Sequence, residues 1–157
     1  MNANILFKAS VLENSSEKSG ECSYSLNDYY LEYSLNYKPT KNYLLIYDTL
    51  TICFAADTTF FSGFDVFSDI NSWTENENIE LPAIYKEGKL KATNGFENDN
   101  RYSFHFIPWI QYSKKGFVKI EFEKSKGTFF KIAPDLFVEI ANNHISSFII
   151  ERLTFEE

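Results

Sequence analysis

The sequence predicts a mainly β fold, an antiparallel sandwich or barrel-like sheet, on three observations. Aromatic residues make up 18% of the chain, and aromatic and β-branched side chains suit a pleated, half-buried surface better than a helix. Short runs alternate apolar and polar residues with a period of two. Turn-forming residues recur between those runs. A chain of 157 residues suits one domain, here 1–157, and can bury about two thirds of its unfolded surface without staples or metal.

Taken in order, "NILFKASVL" (Asn4–Leu12) predicts a first strand and "ENSSEKSGE" a polar loop. In "DYYLEYSLNY" (Asp28–Tyr37), Tyr29, Leu31, Tyr33, Leu35 and Tyr37 fall on one face, and Tyr30, Glu32, Ser34 and Asn36 on the other. That alternation predicts a half-buried strand. "KPTKN" is a turn. "YLLIYDTLTICFA" (Tyr43–Ala55), apolar on both faces, reads as one central strand. "FFSGFDVFSDI" is a further strand, in which Gly63 marks a bulge or a close backbone approach.

"NSWTENEN" (Asn71–Asn78) reads as a loop and a short strand follows from Asn78. "YKEGKLKA" suggests a hairpin about Glu87 and Gly88. "GFENDN" (Gly95–Asn100) is a loop. "RYSFHFIPWIQY" and "FVKIEFEK" form a hairpin across Ser113–Gly116, with Val118, Ile120 and Phe122 on one face. The last segment has two readings. Leu136, Phe137, Ile140, Ala141, Ile145, Phe148, Ile149 and Leu153 match one helical face, which would give an α+β fold with a C-terminal helix over 135–153. The β-branched content and the Asn142-Asn143 pair instead favour a hairpin.

Net charge is −7, from 22 acids and 15 bases. No basic residue lies between Lys41 and Lys86, and that window holds Asp48, Asp57, Asp65, Asp69, Glu75, Glu77 and Glu80. The rest of the chain is balanced, so the net charge belongs to this window. Such a split argues against a nucleic-acid binder, which needs a basic face, and against an anionic membrane surface. A basic protein partner is the expected complement. The N-terminal stretch has no basic n-region and no long apolar run. The two cysteines, Cys22 and Cys53, have no redox or metal spacing. A cytoplasmic location with reduced thiols is expected.

Catalytic motifs are not found. There is no G-x-S-x-G elbow, no C-x-x-C or H-E-x-x-H, and no glycine-rich phosphate cradle. His105 and His144 read as bland surface or hydrogen-bonded histidines. Cys53 reads as a buried, inert thiol and Cys22 as an exposed one. Glu97 and Asp99 would hold a cation only weakly. No catalytic residue, metal site or cofactor is therefore expected.

The stretch "GFDVFSDINSWTENENIE" (Gly63–Glu80) combines acids with large aromatics and has no Lys or Arg. It is the expected partner-binding segment, with Asp65, Asp69, Glu75, Glu77 and Glu80 steering a basic partner onto Trp73 as the anchor. Lysines Lys86, Lys89 and Lys91 would cancel this patch if a hairpin carried them back onto it. The function expected is a non-catalytic protein-binding domain, a small acidic inhibitor of a basic enzyme. Bacterial immunity proteins that neutralise toxin domains are one class of this kind. Two alternatives are a β-barrel with an aromatic-lined cavity for a small molecule and a self-associating module with an exposed strand edge.

Overall fold

Alternation in the sequence becomes paired strands almost throughout. The structure, a computed structural model, describes residues 7–97 and 99–156, so the start of the expected strand Asn4–Leu12 lies outside the described residues. The strands in chain order are β1 (Lys8–Glu13), β2 (Glu21–Ser25), β3 (Tyr30–Ser34), β4 (Asn42–Tyr47), β5 (Leu50–Ala55), β6 (Phe61–Phe67) and β7 (Thr74–Glu75). There follow β8 (Lys86–Asn94), β9 (Arg101–Phe104), β10 (Trp109–Tyr112), β11 (Val118–Glu121), β12 (Thr128–Ala133), β13 (Leu136–Ala141), β14 (His144–Ile150) and β15 (Thr154–Glu156). A 3-10 turn at Ile70–Ser72 precedes β7.

One sheet has the order β1-β8-β12-β13-β14-β11-β10-β7 and the other β15-β2-β3-β6-β5-β4-β9. They stack as a sandwich and do not close into a barrel. Most neighbours are antiparallel. The pairs β7–β10, β8–β12, β4–β9 and β2–β15 are parallel, so both sheets are mixed where antiparallel sheets were expected. Each parallel partner is reached only after the chain has visited other strands, since a tight hairpin can join only antiparallel neighbours.

The inward-facing rings fill the space between the sheets. Phe64 of β6 stacks on Phe148 of β14 with ring centroids 5.1 Å apart, and Tyr47 of β4 meets Phe122 beyond β11 at 4.6 Å. Tyr24, Tyr33, Phe7, Phe54, Phe64 and Phe148 are among the most deeply buried side chains. The hydroxyl of Tyr33 donates to the Pro134 carbonyl at 2.6 Å, so a polar tip in the core is satisfied. The aromatic excess in the sequence is thus mostly core.

Several expectations are corrected. Residues 135–153 form no helix: β13 and β14 are joined at Asn142 and Asn143, with φ 52° and 64°, the left-handed pair that a two-residue hairpin needs. The single strand expected at Tyr43–Ala55 is the hairpin β4–β5, turned at Asp48 with φ 55°. "YKEGKLKA" is no hairpin but the start of the long strand β8, where Gly88 lets β1 approach: a Cβ there would stand 2.5 Å from the Leu12 carbonyl oxygen. "RYSFHFIPWIQY" is two strands in different sheets, β9 and β10, with the crossing at 105–108. No strand starts at Asn78. Ile79 instead packs on Phe137 and Ile149, on the outer side of the eight-stranded sheet. Cys22 belongs to a strand missing from the sequence reading, β2, and is buried rather than exposed. Cys53 is half-buried.

Candidate functional site

The six residues expected to form one binding segment are dispersed. Asp65, on β6, faces outward from the seven-stranded sheet. Asp69 caps the 3-10 turn, its Oδ1 accepting from the Asn71 N–H at 2.9 Å. Trp73 is 6% exposed; its ring meets Tyr24 edge-on at 5.3 Å, and its Nε1–H donates to Ser68 Oγ at 3.0 Å. The indole is therefore part of the core and not a water-facing anchor. Glu75 and Glu77 lie by the β10–β11 hairpin, and both are answered by one lysine. Lys114 Nζ is 3.5 Å from Glu75 Oε1, and the Lys114 backbone N–H donates to Glu77 Oε1 at 2.9 Å. Glu80 is exposed on the strap that crosses the outer face of the eight-stranded sheet.

The lysines expected as possible neutralisers go elsewhere. Lys86 pairs with Glu13 at 3.2 Å and Lys89 with Glu17 at 3.9 Å. Lys91 lies over the Phe60 ring at 5.7 Å. Lys114 lies 34 positions beyond Glu80, too far along the chain for any local pattern to single it out.

Uncompensated charge gathers instead on the outer face of the seven-stranded sheet. Glu32 of β3 and Asp65 of β6 are directly opposite in an antiparallel register. Side chains so placed have Cβ atoms about 4.5–5.5 Å apart, and like charges there are destabilising. Among the described residues neither carboxylate has an ion-pair partner. The Tyr30 hydroxyl donates to Glu32 Oε2 at 3.3 Å and stands close enough to Asp65 to favour its charged form. Burial pushes the Asp65 carboxyl above its ordinary value; the Tyr30 hydrogen bond opposes this and the Glu32 charge adds to it. Burial and these same two acids keep the Tyr30 hydroxyl protonated.

The register carries more acids and aromatics onto this face. Phe67 pairs with Tyr30, their rings 4.7 Å apart, and Phe67 is 60% exposed. Tyr29, at the adjoining turn with φ 54°, is 52% exposed, and Leu26 in the same turn is also exposed. Glu21 stands across from Ser34, and Glu156 of β15 across from Ser25. Beside the carboxylate pair is a shallow pocket of about 210 Å³, bounded by Ser34, Asn42, Cys53, Ser62 and Lys38. Gly63 gives it depth. A Cβ there would lie 2.7 Å from the Tyr33 carbonyl oxygen, with φ at 147°, so no other residue fits without strain. Lys38 also lines the pocket but reaches no carboxylate within ion-pair distance among the described residues.

Cys53 is the thiol that lines this pocket. Burial, then Asp65 and Glu32, push its thiol up to about 11, so a thiolate is disfavoured where a nucleophile would need one. Among the described residues no group of three or more His, Cys, Asp and Glu side chains is arranged to hold a metal ion, and no helix is long and apolar enough to cross a membrane.

Of the site's residues, only Asp65 was expected. Tyr30 and Glu32 were visible as the polar side of an alternating strand, but no local pattern carries the β3–β6 register that brings Glu32 onto Asp65. No protein-family model matches the chain, and no curated protein matches its sequence.

Proposed function

We propose that the protein is a non-catalytic binding domain that docks a basic protein partner on the outer face of its seven-stranded sheet. The observation that carries this reading is the Glu32–Asp65 pair, two carboxylates in register with no ion pair to either among the described residues. Folding alone disfavours that placement. A partner's guanidinium satisfies it, because its fork of donors can bond both carboxylates at once. The adjacent pocket, at about 210 Å³, is smaller than the ~300–1,000 Å³ usual for small-molecule sites and suits a single long side chain. Phe67, Tyr29 and Leu26 supply apolar contact beside the charges, the mixture that makes interface hot spots. The finer form of the proposal is an acidic inhibitor, of the kind that bacterial immunity proteins represent, occupying the basic surface of a toxin domain.

The test uses a hexa-arginine peptide as probe, followed by amide chemical shifts. Saturable, salt-sensitive binding is expected, with the largest shifts at Glu32, Cys53, Gly63 and Asp65. The double variant Glu32→Gln/Asp65→Asn should weaken it by about 10-fold, equivalent to about 1.4 kcal/mol. Shifts centred on Glu75 to Glu80, or affinity unchanged in the double variant, would overturn the assignment of this face.

A further inference from the structure

A second cavity, of opposite character, opens at the end of the sandwich. It has a volume of about 400 Å³, within the range of sites that hold small ligands. Ile70, Trp73, Phe117, Val118, Leu153 and Phe155 give it apolar walls. These come from the 3-10 turn, the β10–β11 hairpin and the last strand, so the cleft lies where both sheets end.

Three polar features set its chemistry. Ser113 lines the cleft, is 3% exposed, and its hydroxyl has no hydrogen-bond partner. Its backbone is fully engaged, the N–H donating to the Phe117 carbonyl at 2.9 Å and the carbonyl accepting from Gly116 at 3.0 Å. The oxygen itself is shut off from the open space of the cleft; a buried hydroxyl left unpaired is costly and uncommon, and turning the side chain toward a bound polar group would relieve it. Lys115 and Arg152 stand at the rim, exposed, and neither forms an ion pair among the described residues. Glu151 is the acid at this cleft, so two cations outnumber it in a protein whose net charge is −7.

We infer that this cleft binds a small amphipathic anion, a carboxylate with an apolar chain or ring. The apolar body lies against Trp73, Val118 and Leu153, Ser113 hydrogen-bonds a ligand oxygen, and Lys115 and Arg152 hold the charged end. The site is separate from the acidic sheet face and does not depend on it.

Titration with decanoate tests this, with decanol and decyltrimethylammonium as controls. The readout is Trp73 fluorescence in a Trp109→Phe background, together with the amide shifts of Ser113 and Arg152. Decanoate should saturate one site and bind about 10-fold more tightly than decanol, the value of one good charge-assisted contact. The exposed pair Lys115→Gln/Arg152→Gln should erase that preference and leave decanol binding unchanged. Ser113→Ala should weaken decanoate by roughly 3-fold with unaltered circular dichroism. The inference fails if decanoate does not saturate at about millimolar concentration, if the decyl cation binds as tightly, or if the double variant keeps the preference for the anion.

Discussion

Two acidic regions of this molecule invite opposite readings in sequence and in space. Glu75 and Glu77 sit two residues apart in a stretch with no base near it, yet Lys114 meets both, one by its ammonium group and one by its backbone N–H. Glu32 and Asp65 are more than thirty positions apart, and Glu32 lies in a run whose neighbours are mostly tyrosines and small polar residues. There the sheet register sets carboxylate against carboxylate, and among the described residues neither forms an ion pair. Charge density along a chain is therefore a poor guide to surface potential in a β protein. A strand neighbour is chosen by the pairing of the whole sheet, and one residue of slip would turn either side chain to the opposite face.

The largest expected effect separates the buried indole from the exposed rings. Trp73→Ala removes a core side chain and should cost about 3–5 kcal/mol in a urea unfolding series. Phe67→Ala, on the acidic face, should change stability by no more than about 0.5 kcal/mol while weakening a basic partner. Equal costs for the two would break the distinction between a core ring and a docking ring.

Next in size is the effect on a basic probe. The double variant Glu32→Gln/Asp65→Asn should lose about 10-fold in affinity for hexa-arginine, whereas Glu75→Gln/Glu77→Gln should lose less than about 2-fold. Lys114→Gln sharpens the contrast from the other side. It frees Glu75 and should speed association at low salt by roughly 2-fold, since one more exposed negative charge then steers the probe. If the Glu75/Glu77 variant instead abolished binding, the compensated region would be the docking face.

How much of this was legible in the sequence follows from which forces are local. Alternation at Tyr30–Ser34 and Val118–Phe122 gave strands and faces, because burial imposes its period directly on the residues. Asn142-Asn143 gave a hairpin over a competing helical pattern, because the turn needs left-handed backbone that asparagine tolerates. Gly63 gave a close approach. The turn at Asp48-Thr49 is hidden, since the flanking residues are apolar on both sides and mask the reversal. The burial of Trp73 was equally hidden: its sequence neighbours are polar, and only the tertiary meeting with Tyr24 and Ser68 takes it inside. The carboxylate pair depends on long-range register, which no local pattern carries.

The smallest expected effect carries the clearest sign. Burial, with the Glu32 charge adding and the Tyr30 hydrogen bond opposing, holds the Asp65 carboxyl above its ordinary value in the folded protein. The native state therefore binds this proton more tightly than the unfolded chain does. Stability from this group falls as pH rises from the unfolded value through the folded one, and is level on either side. Asparagine has no proton to lose. Asp65→Asn should match the wild type at pH below the ordinary aspartate value and become the more stable protein as pH rises, by about 0.2–1 kcal/mol at neutrality, the scale of a cross-strand charge pair. Glu75→Gln should instead destabilise the protein, by up to about 0.5 kcal/mol, through loss of its lysine contact. Urea unfolding at a series of pH values measures both. An Asp65→Asn protein less stable than the wild type at neutral pH would mean that a cation already answers the pair, and the face would then have nothing to offer a basic partner.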